Sequence, residues 1–114
     1  MVKGIDFSKV PCIYWSDRTK VSYLQRRILV YSIMYYQLNE SCVPDYVYEA
    51  IVKQLVKMQN GIDPEEFKKT TYYYAMHDFN GSTGFDLFYK LKPKDREYLL
   101  GIAKTILKQW RKEK

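Results

Sequence analysis

Residues 24–61 read LQRRILVYSIMYYQLNESCVPDYVYEAIVKQLVKMQNG, and the spacing of their apolar side chains decides the fold. Leu24, Ile28, Tyr31, Tyr35 and Leu38 recur at alternating steps of four and three, which puts them on one face of a helix. After the polar break LNES, Pro44-Asp45 opens a second periodic run. There Val47, Ile51, Leu55 and Met58 form the facing stripe, and Asn60-Gly61 supplies a stop. Two helices joined by so short a polar link predict an antiparallel hairpin over residues 20–60. Ser16, Asp17 and Thr19 are the candidate caps of its first helix.

Outward from the hairpin, residues 1–20 contain KVPCIYWSD, a short apolar stretch broken by Pro11. It predicts an N-terminal arm, either a minor edge strand or an extended segment laid on the core. On the other side, Asp63-Pro64-Glu65-Glu66 is a helix start: an N-capping Asp, Pro at the first helical position, and two acids at the positive end of the dipole. That helix can run on through FKKTTYYYAM. Thr70-Thr71-Tyr72-Tyr73-Tyr74 is equally a strand composition, so residues 71–76 stay open between helix and strand. HDFNGSTG carries every turn signal of a loop. From about Pro93, Leu99, Ile102, Ala103, Ile106, Leu107 and Trp110 share one face of a last helix, with Lys104, Lys108, Arg111 and Lys112 on the other. The expectation is a mainly α fold, one small helical domain over residues 1–114. It is built on the hairpin and closed by an amphipathic C-terminal helix, residues 61–114 supplying a helix, the GSTG loop and that basic helix.

Composition narrows the class. A chain of 114 residues, 46% hydrophobic, supports one core. It has no run of about eighteen apolar residues, and MVKGIDFSKV lacks the basic-then-apolar order of a secretory signal. Neither a membrane span nor export is expected, and the compartment read is the cytoplasm. Cys12 and Cys42 stand apart with a single histidine in the chain, so the usual structural zinc set cannot be assembled. Both thiols are expected to be reduced and buried. The net charge is +6, and it is localised: residues 1–89 hold ten basic and ten acidic groups, residues 90–114 nine basic and three acidic. Such a block attracts nucleic acid or an acidic partner surface, or simply keeps a helix soluble.

Aromatic residues make up 17% of the chain, with twelve tyrosines. Tyrosine offers a flat apolar face and a polar tip, which suits ring stacking and protein interfaces. Tyr31 and Tyr35, on the stripe, are expected to be half-buried core residues with hydroxyls reaching water. Tyr36 and Tyr46, off the stripes, are expected to be exposed. Catalytic constellations are weak. His77-Asp78 has no nucleophile or metal partner indicated. DFNGSTGFD begins like a calcium loop, with Asp78, Asn80 and Ser82, but has Thr83 where glycine turns the chain and Tyr89 where a bidentate acid is needed. Gly81-Ser82-Thr83-Gly84 can cradle a phosphate with backbone N–H groups, yet lacks the lysine and glycine spacing of a P-loop. Neither cysteine has an activating base nearby in sequence. The reading is a non-enzymatic binding protein, with no metal and no catalytic residue.

Over residues 24–58 the chain resembles the N-terminal Ia domain of NAD-dependent DNA ligases, a helical hairpin. In that family a Tyr-Tyr or Tyr-His pair ends the first helix, a Ser-Asp or Pro-Asp follows the turn, and a Tyr-Asp starts the second helix. The matching positions here are Tyr35-Tyr36, Pro44-Asp45 and Tyr48-Glu49. The resemblance implies that Tyr35, Tyr36, Asp45, Tyr48 and Glu49 recognise the nicotinamide mononucleotide half of NAD, aromatics on the ring and acids on the amide and ribose. Glu49 departs from the family's Asp by one methylene. The nucleotidyltransferase domain, OB-fold and zinc finger have no counterpart in these residues, so ligation by this chain alone is not expected. The whole chain, including EEFKKTTYYYAMHDFNGSTGFDLFYKL, looks like small proteins encoded by phages and mobile elements of Gram-positive bacteria. That implies an accessory protein acting on a host protein or protein–nucleic-acid complex, a defence nuclease such as a CRISPR effector being one form. NMN or NAD binding by the hairpin edge is the alternative. Direct nucleic-acid binding by Lys104, Lys108, Arg111 and Lys112 is the second.

Overall fold

A computed structural model describes residues 15–81 and 84–112 of the chain. The expected N-terminal strand and Cys12 fall on residues 1–14 and lie outside the described residues. The remainder is helical: α1 Asp17–Gln37, α2 Asp45–Gly61, α3 Pro64–Lys68, α4 Tyr73–Met76, α5 Leu87–Lys90 and α6 Pro93–Lys112, with no strand among the described residues.

The hairpin is present, and its ends follow local chemistry. Ser16 caps α1, its Oγ accepting from the Thr19 N–H at 3.2 Å. At the far end Asn39 takes the left-handed region, φ 54°, a conformation asparagine tolerates better than most residues. This lets the Glu40 N–H turn back to the Met34 carbonyl at 3.0 Å. α2 ends after Gly61 without glycine's special geometry, the Ile62 N–H still reaching the Met58 carbonyl at 2.9 Å.

α1 is the centre of the fold rather than one wall of it. Val21, Leu24, Ile28, Leu29, Val30, Ile33 and Met34 are all buried, which covers every side of the helix over residues 28–34. α2 and α6 are its main neighbours, and α3 and α5 fill the rest. A helix hydrophobic all round has to be enclosed, here by two long helices and the short ones between them. α2 contributes Ile51, Val52 and Leu55, α4 Ala75 and Met76, α5 Leu87, and α6 Leu99, Ala103 and Leu107 to the same core. α6 thus closes the hairpin as its periodicity demands.

Two expectations need correction here, the run of the third helix and the burial of Cys42, and the open reading of residues 71–76 is decided. The third helix stops at Lys68; Asp63 caps it through the Glu66 N–H at 3.3 Å, and residues 71–76 form a turn and one helical turn, α4, rather than a strand. α5 carries no sequence signal of its own. It is held from α6, where the Arg96 guanidinium donates to the Phe88 and Tyr89 carbonyls at 3.0 and 2.8 Å and so satisfies the end of α5. Cys42 is only half-buried, its thiol 3.8 Å from the Met34 sulfur, with burial pushing its pKa upward.

A buried amide network ties these short pieces to the hairpin. Gln25, fully buried, donates to Gln59 Oε1 and Thr70 Oγ1, each at 3.1 Å, and accepts from the Tyr72 N–H at 3.2 Å. Gln59 in turn donates to the Met76 carbonyl at 3.1 Å. Every polar atom named here has a partner, so burial is tolerated.

Candidate binding crevice at the open end of the hairpin

α1 and α2 are joined by residues 38–44, and this link holds the hairpin open at one end. A crevice of about 170 Å³ results, lined by Tyr31, Ser32, Tyr35, Tyr36, Ser41, Val43, Asp45 and Tyr48. Four of the five positions implied by the ligase resemblance, Tyr35, Tyr36, Asp45 and Tyr48, therefore meet in one place. Glu49 does not join them. It lies one residue further around α2 and lines a separate, open groove with Lys53, Lys57, Asn80 and Gly81, a groove that shares only Tyr48 with the crevice.

The tyrosines occupy different depths from those the stripe suggests. Tyr35 is 59% exposed rather than half-buried, because the helix partner that would cover it starts only at Asp45. Tyr36 is half-buried rather than exposed, set edge-on between Tyr35 at 4.9 Å and Phe85 at 5.6 Å between ring centroids. Edge-to-face contacts of this kind fix ring orientation as well as adding burial. Tyr46 is exposed as expected.

At the floor, Ser32 Oγ and the Tyr48 hydroxyl lie 3.2 Å apart and share a hydrogen bond. The backbone of Gly84 presses on this pair: a Cβ there would sit 2.5 Å from Ser32 Oγ and 3.0 Å from the Tyr48 oxygen. Only glycine lets the loop approach so closely. Desolvation raises the Tyr48 pKa, so its hydroxyl stays protonated and can donate. Tyr31 is buried rather than half-buried, and its hydroxyl accepts from the Arg27 guanidinium, which also bonds the Tyr23 hydroxyl at 2.6 Å. Burial pushes the Tyr31 pKa up to about 12 against the attraction of Arg27. Asp45 stands at the start of α2, exposed, with no ion-pair or hydrogen-bond partner among the described residues.

The second set of expected contacts is on α6. Lys104, Lys108 and Lys112 are exposed along one side. Arg111 leaves that set, because its guanidinium grips the Glu40 carboxylate in the α1–α2 link, Nε to Oε2 at 3.0 Å. Periodicity put it with the lysines; a contact between residues so distant in sequence has no local signal. Elsewhere His77 rests against Tyr73 and Asp78 pairs with Lys90 at 3.2 Å, which lowers the pKa of that carboxyl. The His77-Asp78 neighbours thus serve separate contacts. No cluster of metal-binding side chains occurs among the described residues, and no described helix is long and apolar enough to cross a membrane. Comparisons of the chain with protein-family models, curated proteins and solved structures return no match.

Proposed function

We propose that this protein is a non-enzymatic binding module whose crevice takes the flat, cationic ring of a pyridine nucleotide such as NMN or NAD. The observation that carries the reading is the convergence of Tyr35, Tyr36, Asp45 and Tyr48 from α1 and α2 on one opening. A positively charged ring gains from aromatic faces and edges around it and from a nearby carboxylate. Tyr48 and Ser32 at the floor offer hydroxyls to an amide. The volume favours one ring over a whole nucleotide, since sites that engulf a drug-sized ligand run to roughly 300–1,000 Å³; the rest of the ligand lies outside the crevice.

The test is saturation transfer from the protein to the nicotinamide protons of NMN. Transfer is expected with the wild type and is expected to vanish in Asp45→Ala and Tyr36→Ala, both keeping the wild-type circular dichroism. Absence of transfer at millimolar NMN removes the proposal.

A second reading is favoured by the exposure of large aromatics. Tyr35, Phe85 and Tyr89 are 59%, 60% and 59% exposed, the residue type that anchors protein interfaces. In this reading the chain is a phage-type accessory protein holding a host protein or protein–nucleic-acid complex, for example a defence nuclease, with Lys104, Lys108 and Lys112 meeting acidic groups. A pull-down from host lysate that recovers no protein at stoichiometric level counts against it. If nucleic acid itself is the partner, affinity falls steeply with salt and drops on reversing Lys104 and Lys108.

A further inference from the structure

Resting on the crevice reading, we propose that the open groove beside it, along α2, holds the phosphate of the same nucleotide on Lys53, with Lys57 reaching a second phosphate when the ligand is a dinucleotide. The groove is large, about 520 Å³, and is lined by Tyr48, Glu49, Val52, Lys53, Val56, Lys57, Asn80 and Gly81. Tyr48 lines both the groove and the crevice, so the two openings adjoin at this side chain.

The helix itself is the ruler. At 1.5 Å per residue, Lys53 lies roughly 7–8 Å along α2 from Tyr48 and Lys57 roughly 13–14 Å. The first step matches the reach from a pyridinium ring across a ribose to its phosphate. The second step is longer than the separation of the two phosphorus atoms in a pyrophosphate, and the flexible four-carbon stem of Lys57 spans the difference. Glu49, between the ring and Lys53, is the one acid lining the groove. Its carboxylate repels a phosphate placed beside it and accepts from hydroxyl donors, which suits a sugar there and moves the phosphate on to Lys53.

Two observations make the lysines available. Lys53 and Lys57 are exposed and have no ion-pair partner among the described residues, whereas Lys68, Lys69 and Lys90 are each paired. The opposite wall is kept low by Gly81, at φ +91°, where even a Cβ would meet Val52 at 3.4 Å and Val56 at 3.6 Å. The backbone at Gly81 therefore lies close on α2 at Val52 and Val56.

The experiment titrates the full chain with nicotinamide riboside, NMN and NAD at low salt. NMN is expected to bind about fivefold tighter than the riboside, the size of a solvent-exposed charge contact. Lys53→Gln is expected to abolish that gain while leaving riboside affinity unchanged, and Lys57→Gln to weaken NAD but not NMN. If the riboside binds but NMN binds no better, or if the gain survives Lys53→Gln, the groove assignment is overturned while the crevice reading stands. If neither riboside nor NMN binds, the crevice reading fails and takes this inference with it.

Discussion

The α1–α2 hairpin treats polar groups in opposite ways at its two ends. At the end near Gln25, amides from α1 and α2, the Thr70 hydroxyl and the Tyr72 N–H close on one another in the core. At the end near Tyr35, hydroxyls, rings and the Asp45 carboxylate from the same two helices border a crevice. The difference is one of saturation. A buried polar group whose bonds are all made inside the protein has no capacity left for a ligand and serves the fold. One whose bonding capacity faces an opening is free to serve recognition. The two ends should therefore respond differently to substitution, stability moving at one and binding at the other.

The largest effect is expected at the closed end. Gln25→Leu keeps the approximate volume but strands the Tyr72 N–H and Gln59 Oε1, each a buried group worth about 1–3 kcal/mol when unpaired. A loss of roughly 3 kcal/mol is expected in urea unfolding, with NMN affinity unchanged under folding conditions. If binding fell in proportion to stability, the ends would not be independent and the contrast would be broken.

Tyr31 sits between the two regimes, lining the crevice while its hydroxyl is clasped by Arg27. Its pKa rises from 10.0 unfolded to about 12 folded. The folded chain therefore holds the proton over a range where the unfolded chain has released it. The associated stability is complete below pH 10 and is lost as pH climbs through about 12. Two pH units correspond to roughly 2–3 kcal/mol. Unfolding free energy is expected to drop between those values, and Tyr31→Phe to flatten the drop. An unchanged slope in the variant would assign the alkaline loss to other groups, Tyr74 among them, whose pKa burial and Asp95 also raise to about 12.

Gly84 sharpens the contrast, since it touches the crevice from behind. In Gly84→Ala the new methyl collides with Ser32 Oγ and crowds the Tyr48 hydroxyl. A stability loss of about 1–2 kcal/mol is expected from overpacking, together with weaker NMN binding. Ser32→Ala in the same chain removes the colliding oxygen and is expected to restore most of the stability but not the binding. Full recovery of both would mean that the floor hydroxyls do nothing for the ligand.

What the sequence made legible divides along the same line. The hairpin, the Asp63-Pro64 start and α6 rest on local rules, periodicity and capping, and all three are present. Gln25 and Gln59 were not legible, because an amide looks the same whether it faces water or three partners from distant segments. α5 and the Glu40–Arg111 pair escaped for the same reason: both depend on contacts made across the fold. In the candidate site, Tyr35, Tyr36, Asp45 and Tyr48 were grouped by resemblance rather than by spacing. Spacing alone sent Tyr35 into the core, since a stripe shows which face a residue is on but not where its partner helix begins. Glu49 was grouped with them by the same resemblance, as the counterpart of the family's Asp, yet one residue along a helix is a turn of about 100° and enough to place it in another groove.

The smallest effect on stability belongs to Asp45, and it is the one that most directly tests the idea of saturation. The carboxylate lies in the first turn of α2 and has no side-chain partner among the described residues, so its contribution to the fold is its interaction with the helix dipole, about 0.3–1 kcal/mol for an exposed group. Asp45→Asn keeps the size and a hydrogen-bond-accepting oxygen while removing the charge. It is expected to cost no more than about 0.5 kcal/mol and yet to weaken NMN binding at least severalfold, with the effect shrinking as salt is raised. If the loss were instead the same at low and high salt, Asp45 would act through a hydrogen bond and not through its charge, and a neutral ring would suit the crevice as well as a cationic one.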